Sequence, residues 1–421
     1  MDDSSPPESI DNTKEKKKSR RPANTAFRQQ RLKAWQPILT PKTVIPLFFV
    51  IGIICAPIGG LLIYASSTVK ELRIDYTDCF RDSPTDEARL MDTSLVFPSF
   101  KDNNTINAMW QHSLTNQTYG NYLVQNLTKC TLTFAIPEEM APPVLLYYRL
   151  ENFYQNHRRY VQSFFDKQLA GNDVSLTDVY DSNCEPLATT NGTHPNSRAY
   201  YPCGLIANSL FNDTFQSPIF LNPPGSNGPE GNETYVMKNT SISWESDKEL
   251  YKPRVSTDYS NIVPPPNWQI RYPDGNYSTE NPPPNLHEDE HFIVWMRTAG
   301  LPTFSKLYMR NDTSPMRMGT YSMDIIDNFR TDQYQGRKSI VITTLSVMGG
   351  KNNFLGILWL VVGGFCIVLA LVFLITNLIK PRKLGDHTYL SWNNAPSSAA
   401  AKGKGKASGP TIARDGGVGM V

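Results

Sequence analysis

The stretch VIPLFFVIGIICAPIGGLLIY, residues Val44–Tyr64, has no charged side chain, and neither has FLGILWLVVGGFCIVLALVFLITNLI, residues Phe354–Ile379. A helix rises about 1.5 Å per residue, so roughly 20 apolar residues cross the hydrocarbon core of a bilayer. Both stretches are long enough, and core helices of soluble proteins seldom stay apolar on all sides for such a length. We therefore predict two transmembrane helices, at residues 44–66 and 353–379.

The charges outside these spans predict their orientation. Residues 1–43 carry 10 basic and 5 acidic side chains, and residues 379–421 carry 7 basic and 2 acidic ones. Basic flanks tend to stay in the cytosol. The first span lies too far from the start and is too long for a cleaved signal peptide. We expect cytosolic tails at 1–43 and 380–421, the second disordered, and a lumenal or extracellular domain (the ectodomain) at 67–352.

Cysteine usage agrees with this topology. Cys55 and Cys366 lie within the spans. The others lie in the ectodomain, at Cys79, Cys130, Cys184 and Cys203. An even number of cysteines in an oxidising compartment indicates two disulfides, although the sequence allows three pairings and free buried thiols are an alternative. Pairing of neighbours along the chain is the simplest arrangement.

The glycosylation sequons agree as well. Each Asn-x-Ser/Thr sequon lies in the ectodomain and none lies in either tail. They occur at Asn103, Asn116, Asn126, Asn191, Asn212, Asn232, Asn239, Asn276 and Asn311. Although a single sequon often stays unmodified, this distribution is hard to reconcile with a cytosolic loop.

The sequence of the ectodomain predicts an α+β fold with an antiparallel sheet core, decorated with helices and long loops. Leu145–Leu169 has apolar side chains at helical spacing, which predicts a helix. Phe292–Met296 and Ser339–Val347 are rich in β-branched and aromatic residues, which predicts strands.

Two segments are candidate contacts for a partner protein. Asn24–Pro41 mixes aromatic and basic residues, and Asn24 or Thr25 could cap a short helix through Ala34; contact with lipid headgroups is the alternative. In the first span Gly52, Ala56 and Gly60 recur every four residues, which gives one helix face small side chains suited to close packing in lipid.

Catalytic signatures are scarce. The sequence His287–His291 reads HEDEH and matches the zinc-protease pattern, but the prolines before it and the strand-like run after it disfavour the helix that this chemistry needs. The sequence has no phosphate-binding loop and no nucleophile elbow. We expect no enzymatic activity, no cofactor, no metal and no nucleic-acid partner.

Several segments together resemble the Cdc-fifty/Lem-three family. They are NTAFRQQRLKAWQPILTP (Asn24–Pro41), YYRLENFYQNHRRYVQS (Tyr147–Ser163), CGLIANSLFND (Cys203–Asp213), ISWESDKELYK (Ile242–Lys252), EHFIVWMRTAGLPTFSKLY (Glu290–Tyr308) and NNFLGILWLVVGG (Asn352–Gly364). They occur in order between about residues 22 and 380, and the tails lie outside the resemblance.

The resemblance implies a non-enzymatic accessory (β) subunit of a type IV P-type ATPase, a phospholipid flippase. It implies a partner α-subunit that binds ATP and moves lipid, and a β-subunit needed for exit from the endoplasmic reticulum and for activity. It also implies the disulfides Cys79–Cys130 and Cys184–Cys203. Two other classes stay open from the residues alone: a membrane-anchored ectoenzyme and a receptor glycoprotein.

Candidate partner-binding residues follow from these two segments together. They are Phe27, Arg28, Arg31 and Trp35 beside the membrane, and Gly52, Ala56 and Gly60 within it. We expect the complex to travel from the endoplasmic reticulum to the Golgi, endosomes or plasma membrane.

Overall fold

The structure is a computed structural model that describes residues 23–33, 39–101, 106–194, 196–221, 223–225 and 231–381. The chain divides into two compact units. One comprises Met1–Ile54 and Val362–Val421, and the other is Cys55–Val361. The predictions for Trp35, Asn103 and the C-terminal tail lie outside the described residues.

The secondary structure alternates long strands with short helices. The α-helices are α1 (Pro41–Ser67), α2 (Cys79–Asp82), α3 (Arg158–Val161), α4 (Asp166–Leu169), α5 (Leu176–Tyr180), α6 (Leu205–Asn208), α7 (Glu245–Lys248), α8 (Glu290–Met296) and α9 (Phe354–Ile379). The strands are β1 (Glu71–Asp75), β2 (Arg89–Leu90), β3 (Val96–Ser99), β4 (Met109–Tyr119), β5 (Tyr122–Ile136), β6 (Val144–Glu151), β7 (Ala199–Tyr200), β8 (Thr214–Phe215), β9 (Ile219–Leu221), β10 (Glu233–Thr234), β11 (Ile262–Val263), β12 (Phe304–Asn311), β13 (Gly319–Ile326) and β14 (Arg337–Thr344).

Helices α1 and α9 are long and apolar enough to cross a membrane. Helix α1 begins at Pro41, before the predicted start at Val44, because proline lacks the N–H that a first helical turn cannot satisfy anyway. It ends at Ser67, and α9 covers Phe354–Ile379. The side chains of both helices are largely exposed, as expected of helices that face lipid.

A five-stranded antiparallel sheet holds the ends of the ectodomain together. Its strand order is β12-β6-β14-β1-β3. Strand β14, the last strand that the structure describes, lies at the centre, and its residues from Lys338 to Thr344 are all buried. Its neighbour β1 follows the first span directly, with Glu71 opposite Thr343.

A second, seven-stranded antiparallel sheet lies along the path β10-β9-β13-β5-β4-β2, with β8 also paired to β13. Strands β4 and β5 form a long hairpin that turns at Gly120, whose φ of 56° favours glycine. Inward side chains from both sheets, such as Leu146 and Ile342 from the first and Phe134 and Met323 from the second, belong to one buried apolar cluster. The ectodomain is thus the antiparallel β-rich fold that the sequence predicts.

Two disulfides link separate elements of this core. Cys79 of α2 joins Cys130 of β5 with a Cα–Cα distance of 6.1 Å, and Cys184 joins Cys203 at 5.7 Å. These are the pairs that the family resemblance implies. Cys55 and Cys366 are free thiols within the spans.

The predicted helix over Leu145–Leu169 is wrong in its first part. Residues Val144–Glu151 form strand β6, which lies between β12 and β14. The apolar residues here also recur at every second position, which is the period of a strand. The strand forms because Leu146, Tyr148 and Leu150 pack into the core from one face. Only the short helices α3 and α4 follow, where the prediction placed a continuous helix.

The predicted strand at Phe292–Met296 is also wrong, because these residues belong to helix α8. The side chain of Asp289 accepts a hydrogen bond from the backbone N–H of Phe292 at 3.0 Å and so caps the helix. Burial of Phe292, Ile293 and Trp295 outweighs the low helix propensity of their residue types.

Two further predictions differ in extent. The strand predicted at Ser339–Val347 exists as β14 but ends at Thr344, and a tight turn follows. The helix predicted to begin at Asn24 or Thr25 is not formed over the described part of that segment, which instead makes turns at residues 26–30.

Candidate interaction site

The two spans present small residues where their backbones approach each other. Within the unit Cys55–Val361, a Cβ atom on Gly59 would lie 2.8 Å from Leu360 Cγ and 2.9 Å from the carbonyl oxygen of Gly356. A Cβ atom on Gly356 would lie 2.6 Å from Ile63 Cγ1. Neither position has room for a larger side chain, so these glycines allow close helix packing.

The other unit has a similar contact. A Cβ atom on Gly52 would lie 2.5 Å from Ile367 Cγ1 and 3.0 Å from the carbonyl oxygen of Gly363. The rings of Phe48 and Phe373 have centroids 5.9 Å apart. Gly52 therefore serves packing within the chain.

The predicted small-residue face is divided by this packing. Gly52 is buried, Ala56 is half-buried and Gly60 is exposed. A Cβ atom on Gly60 would meet no described atom within 4 Å. The four-residue spacing in the sequence did not include Gly59. The buried glycines Gly52 and Gly59 are seven residues apart, and this period matches the α-helix better than steps of four residues. The surface at Gly60 is therefore open in the part of the chain that the structure describes.

The segment before the first span carries exposed aromatic and basic side chains. Phe27 is 76% exposed, and Arg28 and Arg31 are exposed too. The guanidinium of Arg31 donates a hydrogen bond to the side chain of Asn24, which holds the turn together. Aromatic and arginine side chains are typical anchors of protein interfaces.

The ectodomain surface has an apolar groove of about 700 Å³. Phe164 and Leu250 lie on its walls and are 39% and 63% exposed, and Ile293 and Met296 of α8 lie beside them. No sequence pattern indicated this groove, because its walls come from the short helices α3, α4, α6, α7 and α8 and from loops that are far apart in the chain.

A buried ionic cluster connects loops to the central strand. The ammonium group of Lys338 lies 2.8 Å from Asp213 Oδ2 and 2.5 Å from Asp327 Oδ1, and it donates to the carbonyl oxygen of Phe329 at 2.7 Å. Asp213 also accepts from the hydroxyl of Tyr76 at 2.9 Å. All of these charged groups are at most 2% exposed.

The two carboxylates of this cluster are not equivalent. Asp213 accepts two further hydrogen bonds of 2.6 Å, from the backbone N–H groups of Asn328 and Phe329. Asp327 Oδ2 is buried without a hydrogen-bond partner in the described structure. Burial raises the pKa of Asp327 to about 6, although the charge of Lys338 opposes this. Burial thus favours the protonated form of Asp327 relative to an ordinary aspartate.

The HEDEH segment has a structural role. Glu290 accepts hydrogen bonds from the backbone N–H groups of Ser241, Ile242 and Ser243, at 3.0, 2.7 and 2.9 Å. Lys248 lies 2.9 Å from the same carboxylate. Desolvation would raise the pKa of Glu290, but Lys248 and these N–H groups outweigh it and lower the pKa to about 2.

The histidines of this segment serve packing as well. His287 Nδ1 lies 2.8 Å from the carbonyl oxygen of Tyr251, and the ring of His291 stacks on Tyr308 at 4.1 Å. Burial lowers the pKa of His291. Within the residues that the structure describes, no group of three or more His, Cys, Asp or Glu side chains is placed to hold a metal ion.

The sequons lie mostly at exposed positions. Asn116, Asn126, Asn191, Asn232 and Asn239 are exposed. Asn212, Asn276 and Asn311 are half-buried. Of these, Asn311 donates from Nδ2, the nitrogen that would carry a glycan, to the carbonyl oxygen of Val236 at 2.9 Å. Asn276 donates likewise to Asp274, so modification at either site would break a hydrogen bond.

Comparison with known proteins gives one family. The model of the LEM3 (ligand-effect modulator 3) family / CDC50 family matches residues 62–383. The match covers the ectodomain, the second span and the end of the first.

Curated relatives are similar over most of the chain. The phospholipid-transporting ATPase accessory subunit CDC50 of Chaetomium thermophilum is 45% identical over 89% of this chain and 91% of its own length. The phospholipid-transporting ATPase accessory subunit CRF1 of Saccharomyces cerevisiae is 40% identical over 90% of each chain. Cell cycle control protein 50A of Mus musculus is 36% identical over 86% of this chain and 90% of its own length.

Proposed function

The chain belongs to the LEM3/CDC50 family, and from this membership we propose that it is the non-catalytic accessory subunit of a type IV P-type ATPase that translocates phospholipids to the cytosolic leaflet. The observation that carries the proposal is that relatives named as accessory subunits of phospholipid-transporting ATPases align with about nine-tenths of the chain. The two candidate spans and the disulfide-bonded ectodomain support the same assignment.

The proposal extends to topology and traffic. Both tails lie in the cytosol, the ectodomain carries N-linked glycans, and the subunit is needed for the complex to leave the endoplasmic reticulum for Golgi, endosomal or plasma membranes. The basic tails and the ectodomain sequons support this orientation.

The proposed partner contacts are the exposed residues of the two segments. Phe27, Arg28, Arg31 and Trp35 contact the α-subunit next to the membrane, and Gly60 contacts one of its helices within the membrane. Exposure of Phe27 and the open surface at Gly60 support these contacts. Gly52 and Ala56 contribute by setting the packing of the two spans.

The alternative classes find no support in the relatives, whose names describe accessory subunits. An ectoenzyme would depend on the HEDEH segment, in which His287 and His291 would have to lie on one face of a helix with Glu288 as the general base, but helix α8 begins only at Glu290. His287 Nδ1 lies instead 2.8 Å from the carbonyl oxygen of Tyr251, and the ring of His291 stacks on Tyr308.

Co-purification tests the proposal. The tagged chain, extracted in mild detergent, should carry a P-type ATPase that mass spectrometry identifies, and the complex should hydrolyse ATP and move phospholipid after reconstitution. The isolated chain should do neither, because a binding partner changes a transport cycle only through its different affinities for the states of the pump. Lipid transport by the isolated chain, or recovery without any P-type ATPase, would contradict the proposal.

A further inference from the structure

A tight turn connects the central strand β14 to the second span. The backbone N–H of Ser346 donates to the carbonyl oxygen of Gly349 at 2.8 Å, and the N–H of Gly349 donates back at 2.9 Å. The hydroxyl of Ser346 accepts from the N–H of Met348 at 3.2 Å. Gly349 has a φ of 100°, which other residues adopt only with strain. The turn therefore has a defined shape.

This turn presents apolar side chains outward. Val347 is fully exposed and Met348 is 60% exposed. The neighbouring Leu345 is 37% exposed. A turn in contact with water usually carries polar residues, so two adjacent exposed apolar side chains at its tip require an explanation.

Both ends of the turn are fixed to the ends of the spans. On one side, the N–H of Thr344 donates to the carbonyl oxygen of Lys70 at 3.0 Å, and Lys70 follows shortly after the last residue of α1. On the other side, the N–H of Asn352 donates to Ser66 Oγ at 3.0 Å, and α9 begins at Phe354. The chain from Met348 to Phe354 can extend at most roughly 20 Å. The turn thus lies within reach of the membrane surface.

We propose that the Val347–Met348 turn inserts into the headgroup region of the leaflet that faces the ectodomain and forms a membrane contact separate from the two spans. The bilayer is the occupant that the chain continuity favours, because span ends lie on both sides of the turn. Lys351, exposed next to it, supplies the basic flank that interfacial segments carry beside their apolar residues. This proposal depends on the spans crossing a bilayer and not on the identity of the partner.

The test uses an environment-sensitive fluorophore on a single cysteine. In a full-length chain with Cys55→Ala and Cys366→Ala, Val347→Cys is labelled, and the chain is placed in phosphatidylcholine nanodiscs with or without lipid that carries a nitroxide near its headgroup. The emission of the label should shift to shorter wavelength than that of the same label in water without detergent, and the nitroxide lipid should quench it. Met348→Cys provides a second site if the first variant folds poorly.

Leu301→Cys is the matched control. Leu301 is an exposed apolar residue at 69%, and it precedes β12, whose first residue, Phe304, lies level with Lys338 across β6. The strand from Lys338 to Thr344 spans roughly 20 Å. A label at Leu301 therefore lies at the opposite end of the same sheet and should show neither the shift nor the quenching.

Two results would overturn the proposal. One is a label at both turn positions that is as polar and as unquenched as the label at Leu301. The other is a shift that occurs only when the partner ATPase is present and that the nitroxide lipid does not affect, because the turn would then contact protein.

Discussion

The ammonium group of Lys338 lies among two carboxylates, a carbonyl and the ring of Tyr76, and it is 1% exposed. Such a group costs much free energy to bury, and its partners offset that cost only while all of them remain. Lys338 and Asp213 are 125 residues apart in the chain. No local pattern could have paired them, because each looks like an ordinary surface charge in the sequence.

We predict that Lys338→Met lowers the free energy of unfolding of the ectodomain by about 3–5 kcal/mol, because it leaves two buried carboxylates without their counter-ion. Arg81→Met is the control, because the Arg81–Asp78 pair has side-chain exposures of 56% and 38% and should contribute less than about 1 kcal/mol. Thermal unfolding of the detergent-solubilised chain measures both, and equal losses would contradict the prediction.

A pH dependence follows from Asp327. Its folded-state pKa of about 6 is above the ordinary value of 3.8, so the folded chain takes up a proton before the unfolded chain does. The contribution of Asp327 to stability should therefore increase as pH falls from 7 to 5, and because the lowered pKa of His291 acts with the opposite sign in this range, the increase is read as the difference between the wild-type chain and the Asp327→Asn variant. Asp327→Asn should abolish this increase, and unfolding curves at both pH values would show it. A wild-type chain that loses stability over this range relative to the variant would contradict the assignment.

Glu290 affects the pH dependence of stability with the opposite sign and at lower pH. Its folded-state pKa of about 2 is below the ordinary 4.5, so its contribution is complete above pH 4.5 and is lost as the pH falls through 2. The two carboxyl groups thus affect stability in separate pH ranges.

At the scale of elements, the sequence predicted the spans well and the ectodomain elements unevenly. In lipid a long apolar stretch forms an α-helix, because the backbone must satisfy its own hydrogen bonds. The residues Leu145–Glu151 fit both periods, and only their pairing with β12 and β14 selects the strand. The groove and the sheet order depend on contacts between distant segments, which one sequence does not show.

Substitutions at two neighbouring glycines can distinguish packing between the spans from binding of the partner. Gly59→Val should destabilise the chain by about 1–3 kcal/mol, because the new side chain would overlap Leu360 and the Gly356 carbonyl. Gly60→Val should leave stability unchanged, since nothing described lies within 4 Å of its Cβ position. We expect Gly60→Val to reduce co-purification of the partner instead. Normal assembly of this variant would exclude Gly60 from the interface.

Loss of either disulfide should destabilise the ectodomain. The Cys79–Cys130 link closes 51 residues and should contribute about 4 kcal/mol in the chain-entropy model. The Cys184–Cys203 link closes 19 residues and should contribute about 3 kcal/mol. Unfolding of the paired Cys→Ser variants would measure this, and a loss below about 1 kcal/mol for either pair would contradict the model.

At the scale of the whole molecule, partner binding should depend on the segment before the first span. Replacing Phe27 and Trp35 with alanine should weaken assembly with the ATPase, since buried aromatic anchors typically contribute at least about 2 kcal/mol to binding. Deleting residues 1–22, which contain no aromatic side chain, should have little effect. Co-purification yield and ATPase activity would measure both changes, and a double variant that behaves like the parent would rule out this interface.

The position of β14 at the centre of its sheet also determines when the sheet can form during synthesis of the chain. Lys70 and Thr344, which bond across the join of β1 and β14, are 274 residues apart. At typical elongation rates the ribosome needs on the order of tens of seconds to make that length. Until β14 is made, β1 and β6 lack their shared neighbour and each exposes an unpaired edge. Closure of the sheet therefore coincides with synthesis of the second span, and the ectodomain keeps an open sheet edge until then.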